Sequence, residues 1–250
     1  MPSKPYIVAV IPARLASTRL PGKVLRSIAG EPMLAWVYRA ARACVQLDQV
    51  LIATDSPEVM EYARARKWDA VMTPAECASG TDRVFHVAQK VAASIYVNIQ
   101  GDEPMLRAEH IDALLAPLQR HPEAQVSTIA TDCSPEQIAN PNAVKVVTAA
   151  NGRALYFSRA TIPYDRDRTG GGVYRKHLGL YAYRKAALER FYYLPQSLLE
   201  TTERLEQLRF LENGIDLYVE NTPFDTIGVD TEEDLLAVEA ILKQRLAAIG

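Results

Sequence analysis

Cysteine is scarce in this 250-residue sequence, which contains only Cys44, Cys77 and Cys133. Their number is odd and their spacing matches no metal-binding pattern, so the sequence favours a reducing compartment. Apolar runs of membrane length are also missing, and the first residues, MPSKPY, do not form an apolar leader. We therefore expect a cytoplasmic protein that does not insert into membranes.

The sequence also lacks an excess of charge of either sign. The formal net charge is −2 and the isoelectric point lies near 6.1, which gives no general attraction to nucleic acid or to anionic membranes. Hydrophobic residues make up 48% and charged residues 23%, values that are typical of globular proteins and argue against disorder. We expect no nucleic-acid partner, and any anionic ligand has to be bound by a local group of cations.

Two common nucleotide-binding motifs are absent. No G-x-G-x-x-G follows a predicted strand, which counts against a dinucleotide site. The segment IPARLASTRLPGK, residues 11–23, has only one glycine before its lysine, and Val24 stands where a Walker A loop has serine or threonine. If the protein binds a nucleotide, it uses a different loop.

The first half of the chain alternates short apolar runs with amphipathic segments. Ser56 and Pro57 are typical of the cap and the first turn of a helix. The predicted strands are 6–11, 50–55, 70–74, 95–99 and 126–131, and the predicted helices are 31–44, 57–67, 81–92 and 110–119. This alternation predicts an α/β fold with a doubly wound, mostly parallel central sheet.

The pattern changes after Asn140. Two short apolar runs flank Asn151 and Gly152, a strong hairpin signal, and 175–183 is a further predicted strand. We therefore expect a single domain of residues 1–250 that carries a small antiparallel insertion at about 140–185. The remaining elements are a helix over 203–213 capped by Gly214, a strand over 216–221, and a last helix that begins at Thr231 with a capping box to Asp234.

The loop after the first strand carries three cations, Arg14, Arg19 and Lys23. Ligands of doubly wound sheets bind at the carboxyl ends of the strands, so this loop is well placed to surround a polyphosphate. The alternative is a solvated surface loop whose cations pair with nearby carboxylates, and the loop alone does not decide between them.

Acidic residues follow two other predicted strands. Asp102 lies in NIQGDEP at the end of the fourth strand, and Asp230 lies in GVDTEED ahead of the last helix. Hard carboxylate oxygens suit Mg²⁺, which takes one or two of them together with substrate phosphates. Carboxylates also cap turns and helices in any protein, and that alternative stays open.

Two further segments have a functional and a structural interpretation. In SGTDR, Ser79 and Arg83 can contact a nucleotide, or they can be a plain helix cap and a surface arginine. His177 lies on a predicted strand, where a lone histidine is more often a packing residue than a ligand. The cationic loop and the acidic turns together predict a phosphate–metal site and the transfer of a phosphoryl or nucleotidyl group.

The order of several motifs resembles the 3-deoxy-manno-octulosonate (Kdo) cytidylyltransferase family, also called CMP-Kdo synthetases. The match runs from Ile11 to about Asp234. The motifs are IPAR-x-x-STRLPGK, ATD, SGTDR, NIQGDEPM, NPNAVKVV, ALYFSRATIP, RKHLGLYAY, LEQLR and GVDT. Other sugar nucleotidyltransferases, including those of sialic acid, are similar in the first half, and the second-half motifs separate the families.

The resemblance implies a fold of the nucleotide-diphospho-sugar transferase type and a reaction in which CTP and Kdo give CMP-Kdo and pyrophosphate for lipopolysaccharide synthesis. It implies catalytic roles for Arg14, Lys23, Asp102 and Asp230, with Asp102 and Asp230 as ligands of Mg²⁺. The implied CTP-binding residues are Pro12, Ala13, Arg14, Arg19, Lys23, Ser79 and Arg83. The implied Kdo-binding residues are Gln100, Arg159, His177, Glu206 and Gln207. The family also implies a homodimer in which the antiparallel insertion is the dimerisation element.

The sequence departs from the commonest family pattern at several positions. Tyr164 stands where many members have tryptophan, and Asp82 replaces glutamate in SGTER. Because both positions border the implied sites, the choice between Kdo and analogues such as 8-amino-Kdo stays open. A non-catalytic relative is expected to have lost Lys23, Asp102 or Asp230, and all three are present. A glycosyltransferase of related fold usually has two acids separated by one residue at its metal site, and Gly101-Asp102-Glu103 is not that arrangement.

Overall fold

The computed structural model describes residues 5–17, 19–167 and 172–247 of the chain. Residues 168–171, which fall within the predicted antiparallel insertion, lie outside the described residues. The chain divides into two compact units, the first formed by Met1–Ile111 with Thr226–Gly250 and the second by Asp112–Asp225. The organisation as one domain with an insertion stays a prediction.

The strands of the first unit form a parallel sheet. Its order is β6-β1-β4-β5, and every neighbouring pair in it is parallel. The strands are β1 (Ile7–Pro12), β2 (Ser27–Ile28), β3 (Glu31–Pro32), β4 (Gln49–Thr54), β5 (Ala70–Met72) and β6 (Ile95–Asn98). β2 and β3 form a separate two-stranded antiparallel sheet. The first, fourth and sixth strands are almost entirely buried, which is why each reads as a continuous apolar run.

The strands of the second unit form a mixed arrangement. They are β7 (Val126–Asp132), β8 (Lys145–Thr148), β9 (Ala154–Ser158), β10 (Arg175–Arg184) and β11 (Leu217–Asn221). β11 is parallel to β7, whereas β10 runs antiparallel to β7 and to β8, and β8 is antiparallel to β9. The parallel strands and the helices that follow them confirm the predicted α/β class with a mostly parallel sheet.

Nine helices connect these strands in the part of the chain that the structure describes. They are α1 (Met33–Ala43), α2 (Pro57–Ala65), α3 (Gly80–Ala88), α4 (Ala108–Arg120), α5 (Pro135–Ala139), α6 (Lys185–Tyr193), α7 (Leu198–Glu203), α8 (Leu208–Glu212) and α9 (Glu232–Ala247). None of these helices is long and apolar enough to cross a membrane.

Local capping signals place several of the boundaries. The Ser56 hydroxyl accepts from the amide of Val59 at 3.4 Å, which confirms Ser56 as the predicted cap of α2. The Asp234 carboxylate accepts from the amide of Thr231 at 2.9 Å, which confirms the capping box of α9. Gly152 has φ +86° in the turn between β8 and β9, so the predicted hairpin is also confirmed.

The predicted helix over 203–213 is only partly right, and helix α6 was not predicted. Its second half is α8, which Gly214 follows at φ 63°, but residues 204–207 are not helical. The chain leaves the helix at Arg204, which adopts the left-handed conformation at φ 56° and ψ 47°, and it re-enters a helix only at Leu208. The carbonyl groups of Glu203 and Arg204 accept from the guanidinium of Arg159 instead of from helical amides. A tertiary contact therefore overrides the local helical pattern.

Candidate functional site

A cleft of about 330 Å³ lies at the carboxyl ends of the parallel strands in the first unit. The sequence-predicted residues that line it are Pro12, Arg14, Arg19, Lys23, Ser79, Arg83, Gln100, Asp102 and Asp230. Ala13 is fully buried and its amide donates to the carbonyl of Ala53 at 2.8 Å. The location agrees with the general rule that ligands of doubly wound sheets bind at this edge.

Lys23 joins the two predicted metal ligands. It begins a short 3-10 helix, Lys23–Leu25, directly after Gly22, whose φ of 67° favours glycine. Its ammonium donates to Asp230 at 2.9 Å and also to Asp102. Burial acts to lower the pKa of Lys23, but the charges and hydrogen bonds of both carboxylates more than offset this, so the pKa lies above the usual 10.5.

The other two cations of the loop differ in their contacts. Arg19 pairs with the second oxygen of Asp230 at 3.0 Å, whereas Arg14 is exposed at the rim of the cleft. Two of the three cations thus pair with carboxylates, as the surface-loop alternative expects. Those carboxylates line the same cleft, so the contacts also place both cations at the candidate phosphate site.

The donor set suits a divalent cation that is shared with a ligand. The carboxylates of Asp102 and Asp230 both accept from the ammonium of Lys23, so an oxygen of each carboxylate lies close to the same point. Two carboxylates that are this close together can bind one divalent cation. No group of three or more histidine, cysteine or acidic residues in the described part of the chain can hold a metal alone. Two hard carboxylates that need further oxygens from substrate phosphates match the preference of Mg²⁺.

The N-terminus of α3 forms one wall of the cleft. The Ser79 hydroxyl accepts from the amide of Asp82 at 3.2 Å, and the Asp82 carboxylate accepts from the amide of Ser79 at 3.0 Å and from that of Ala78 at 2.9 Å. Asp82 therefore closes the capping box although it is shorter than the glutamate of the commoner pattern. The positive end of the helix dipole faces the cleft.

Arg83 is not a surface arginine, because only 2% of it is exposed. It pairs with the Asp55 carboxylate at 2.7 Å and donates to the Thr73 hydroxyl at 2.7 Å. Asp55 and Thr73 directly follow β4 and β5, so the guanidinium is tied across the ends of two neighbouring strands. The sequence motif ATD contains Asp55, but nothing in its local pattern indicates this partner.

Gly101 allows two strand ends to approach each other. A Cβ at this position would lie 2.7 Å from the carbonyl oxygen of Pro12, closer than real Cβ atoms come to backbone. The backbone of the next residue, Asp102, is also fixed, because its carbonyl accepts a hydrogen bond from the amide of Val229 at 2.9 Å. The glycine thus lets the acidic turn pack directly against the end of β1.

Of the predicted sugar-binding residues, Gln100 lines this cleft and donates to the side chain of Asn98 at 3.2 Å. The other four belong to the second unit. They are Arg159, His177, Glu206 and Gln207.

His177 is buried within the second unit. Its Nε2 lies 2.9 Å from the hydroxyl of Thr128, and its ring packs 4.9 Å from that of Phe157 and 5.5 Å from that of Tyr181. Burial lowers the pKa of His177 to about 3, so the ring is neutral near pH 7. These contacts suit the packing alternative, and they leave a neutral ring that can also exchange a hydrogen bond with a ligand.

Arg159 follows β9 and binds backbone carbonyls. Its guanidinium donates from Nε to Glu203 at 2.8 Å, from one terminal nitrogen to Pro141 at 3.0 Å and from the other to Arg204 at 3.4 Å. A guanidinium has five N–H donors. The described residues take three of them, which leaves one donor on each terminal nitrogen for a ligand.

Glu206 and Gln207 lie between α7 and α8. Gln207 is only 4% exposed, and its amide nitrogen has no hydrogen-bond partner among the described residues. Such a buried orphan donor is rare and suits a polar ligand. Tyr181, which was not predicted, contacts the His177 ring, and its pKa is raised well above 10.0 by burial and, to a lesser degree, by Tyr183 and Glu206.

Comparisons with known proteins cover nearly the whole chain. A family model described as a cytidylyltransferase matches residues 8–219. A 3-deoxy-manno-octulosonate cytidylyltransferase of Acidobacterium capsulatum is 70% identical over 239 residues, which cover 96% of this chain and 97% of that protein. A protein of the same name from Koribacter versatilis is 59% identical, with 95% and 90% covered.

Solved structures agree with these sequence matches. A structure of CMP:2-keto-3-deoxy-manno-octonic acid synthetase complexed with CTP is 42% identical, has a TM-score of 0.92, and covers 96% of this chain and 99% of its own. A cytidylyltransferase from Leptospira borgpetersenii, at 15% identity and a TM-score of 0.65, covers 95% of this chain and 87% of its own and shares the fold alone. Because the relatives at 70% and 59% identity match almost the whole chain, this chain belongs to the 3-deoxy-manno-octulosonate cytidylyltransferase family.

Proposed function

We propose that this chain is a cytidylyltransferase that activates Kdo: CTP and Kdo give CMP-Kdo and pyrophosphate, for lipopolysaccharide synthesis. The observation that carries the proposal is the meeting of Lys23, Asp102 and Asp230 in a cleft that further cations line. The names of the relatives at 70% and 59% identity support the same substrate pair.

The first unit binds the nucleotide in this proposal. Arg14, Arg19 and Lys23 neutralise the phosphates, while Ser79 and the positive end of α3 face the nucleotide. Pro12 and Ala13 contribute backbone groups, and Arg83 presents a guanidinium whose position the Asp55 carboxylate fixes. Catalysis then comes mainly from positioning and charge neutralisation.

The bond change is a substitution at the α-phosphorus. The anomeric hydroxyl of Kdo forms the new C–O–P linkage, the bond between the α-phosphorus and the bridging oxygen breaks, and pyrophosphate leaves while the hydroxyl proton passes to solvent. Asp102 and Asp230 would hold Mg²⁺, which when bound supplies positive charge to the reacting phosphates. Lys23 keeps these two carboxylates together by its hydrogen bonds to both.

The sugar acid is recognised by polar groups with unused bonding capacity. The two remaining donors of Arg159 match a carboxylate, which a guanidinium binds in bidentate fashion. The orphan amide of Gln207 and the neutral ring of His177 are suited to hydroxyl groups. Gln100 and Glu206 complete the proposed set of Kdo contacts.

Assembly and location are part of the same proposal. We assign the antiparallel segment at 140–185 to a homodimer contact, which is supported by Leu155 and Val173, apolar side chains that are 53% and 65% exposed. A cytoplasmic location is supported by Cys77 and Cys133, which are both free thiols.

The test is pyrophosphate release by the purified protein with MgCl₂, using each of the four nucleoside triphosphates with and without Kdo. We expect release only with CTP and Kdo together, and none after a chelator is added. Release with CTP and another acidic sugar, such as sialic acid, would keep the nucleotide site and overturn the sugar assignment. No release with any pair would overturn the proposed function.

A further inference from the structure

Arg159 is held at its backbone as well as at its guanidinium. Its amide donates to one carboxylate oxygen of Glu203 at 3.0 Å, and its carbonyl accepts from the ammonium of Lys145 at 2.9 Å. With the three guanidinium contacts already described, the amide, the carbonyl and the side chain of this residue all have fixed partners. Neither Lys145 nor Glu203 is among the residues that the family resemblance assigns to a site.

Lys145 is a buried cation whose partners are backbone carbonyls. It is fully buried, and its ammonium donates to Asn140 at 2.8 Å and to Arg159. Within the described residues it forms no ion pair, and burial lowers its pKa from the usual 10.5. Burying an ammonium without a carboxylate is costly, so a side chain that only filled space here would be better replaced by an apolar one.

Glu203 contacts Arg159 through both its side chain and its backbone. Its carboxylate accepts from the Ser158 hydroxyl at 2.6 Å and from the Arg159 amide, and its carbonyl accepts from Arg159 Nε. Glu203 is the last residue of α7, and the left-handed Arg204 follows it. The end of this helix therefore presents its last carbonyls to the guanidinium, and cations are favoured at that end of a helix.

We propose that Lys145 and Glu203 are positioning residues that fix Arg159 so that its two remaining N–H donors point at the carboxylate of the sugar acid. This inference rests on the proposed function. Lys145 fixes the carbonyl side of Arg159 and Glu203 fixes its amide side, so the guanidinium cannot turn away by rotation of the backbone. Because the side chain is already ordered in the free protein, little conformational entropy is lost when the sugar binds.

The test is Lys145→Met, which keeps the length of the side chain and removes its donors. We expect the KM for Kdo to rise at least tenfold while the KM for CTP stays within twofold. The matched control is Lys176→Met, because Lys176 is the register partner of Lys145 on β10 but pairs with Asp225 at 2.8 Å. The control should keep the wild-type KM for both substrates.

Glu203→Gln, at a half-buried position, provides a second test if Lys145→Met does not fold. We expect a rise of at least threefold in the KM for Kdo alone. A loss of turnover with both KM values unchanged in these variants would mean a purely structural role and would overturn the inference. If the wild-type protein uses CTP and Kdo but neither variant changes the KM for Kdo, only this inference fails, whereas an inactive wild type removes the proposed function as well.

Discussion

Lys23 donates from its ammonium to the carboxylate of Asp230 at 2.9 Å, across 207 positions of the chain. The same ammonium also binds Asp102, which lies 79 positions away from it. Three charges from distant segments thus meet in one cleft, and the two acids are held together by the cation between them. This arrangement makes the charge of Lys23 and the two carboxylates the first features to test.

Replacing Lys23 by methionine should impair the use of CTP. We expect kcat/KM for CTP to fall by about 100-fold, because roughly 2.7 kcal/mol of charged contact to the phosphates is lost, and the KM for Kdo to stay within twofold. Steady-state pyrophosphate release checks this. Lys90→Met is the control, since Lys90 donates to the carbonyl of Met72 at an exposed position. An effect limited to the KM for Kdo would contradict the phosphate role.

Asp102→Asn should separate folding from turnover. The amide has the shape of the carboxylate but binds Mg²⁺ poorly, so turnover should fall at least 100-fold and the half-saturating MgCl₂ concentration should rise. Thermal unfolding should stay cooperative, with a Tm within a few degrees of the wild type. Wild-type turnover at saturating MgCl₂ would remove Asp102 from the metal site.

Asp55→Ala should destabilise the protein strongly. It leaves the guanidinium of Arg83 buried without its carboxylate, and breaking a buried pair in this way costs about 3 kcal/mol. Urea unfolding of the wild type and the variant measures the difference. Glu58→Gln, in the first turn of α2, is an exposed control that should change the free energy of unfolding by less than about 0.5 kcal/mol. If Asp55→Ala lowered the free energy of unfolding no more than Glu58→Gln does, the ion pair would contribute little to stability.

Gly101→Ala should disturb the nucleotide cleft. The new Cβ would meet the Pro12 carbonyl at 2.7 Å, so the backbone of β1 or of the acidic turn has to move. We expect a loss of about 2 kcal/mol in the free energy of unfolding and a higher KM for CTP. Gly179→Ala is the control, since a Cβ there meets nothing within 4 Å. A fully active and stable Gly101→Ala protein would show that the close approach is not needed.

Local sequence signals account for most of the fold. The buried parallel strands read as apolar runs because both faces are covered, and caps such as Ser56 and Thr231 act within four residues of their targets. The candidate nucleotide cleft was predictable for a related reason. Loops that follow parallel strands meet at one edge of the sheet, so Lys23 and Asp102 are neighbours although they lie far apart in sequence.

Contacts between distant residues account for what the sequence did not predict. The break between α7 and α8 occurs at Arg204, although arginine has no preference for the left-handed conformation. The helix ends there because the guanidinium of Arg159 donates to the carbonyls of Glu203 and Arg204. The burial of Arg83 depends on Asp55, which lies 28 positions earlier. In each case a charged side chain far along the chain decides the local structure, and no short-range pattern contains that information.

His177 should make the stability of the protein depend on pH. In the folded protein its pKa is lowered to about 3, whereas in the unfolded chain it has the usual value of 6.5. Between these values the unfolded state binds a proton that the folded state does not, so stability is full above pH 6.5 and is lost as the pH falls. The groups that face the ring, Thr128, Phe157 and Tyr181, carry no charge in this range.

The pH effect is measured by urea unfolding at pH 7 and pH 5. From one site with these two pKa values, we expect His177 to contribute a loss of roughly 2 kcal/mol over this interval. His177→Gln keeps a polar group near the Thr128 hydroxyl but cannot take up the proton, so its loss between the two pH values should be smaller by that amount. An equal loss in both proteins would mean that His177 is protonated in the folded state, and a neutral buried ring could then no longer be part of the proposed sugar site.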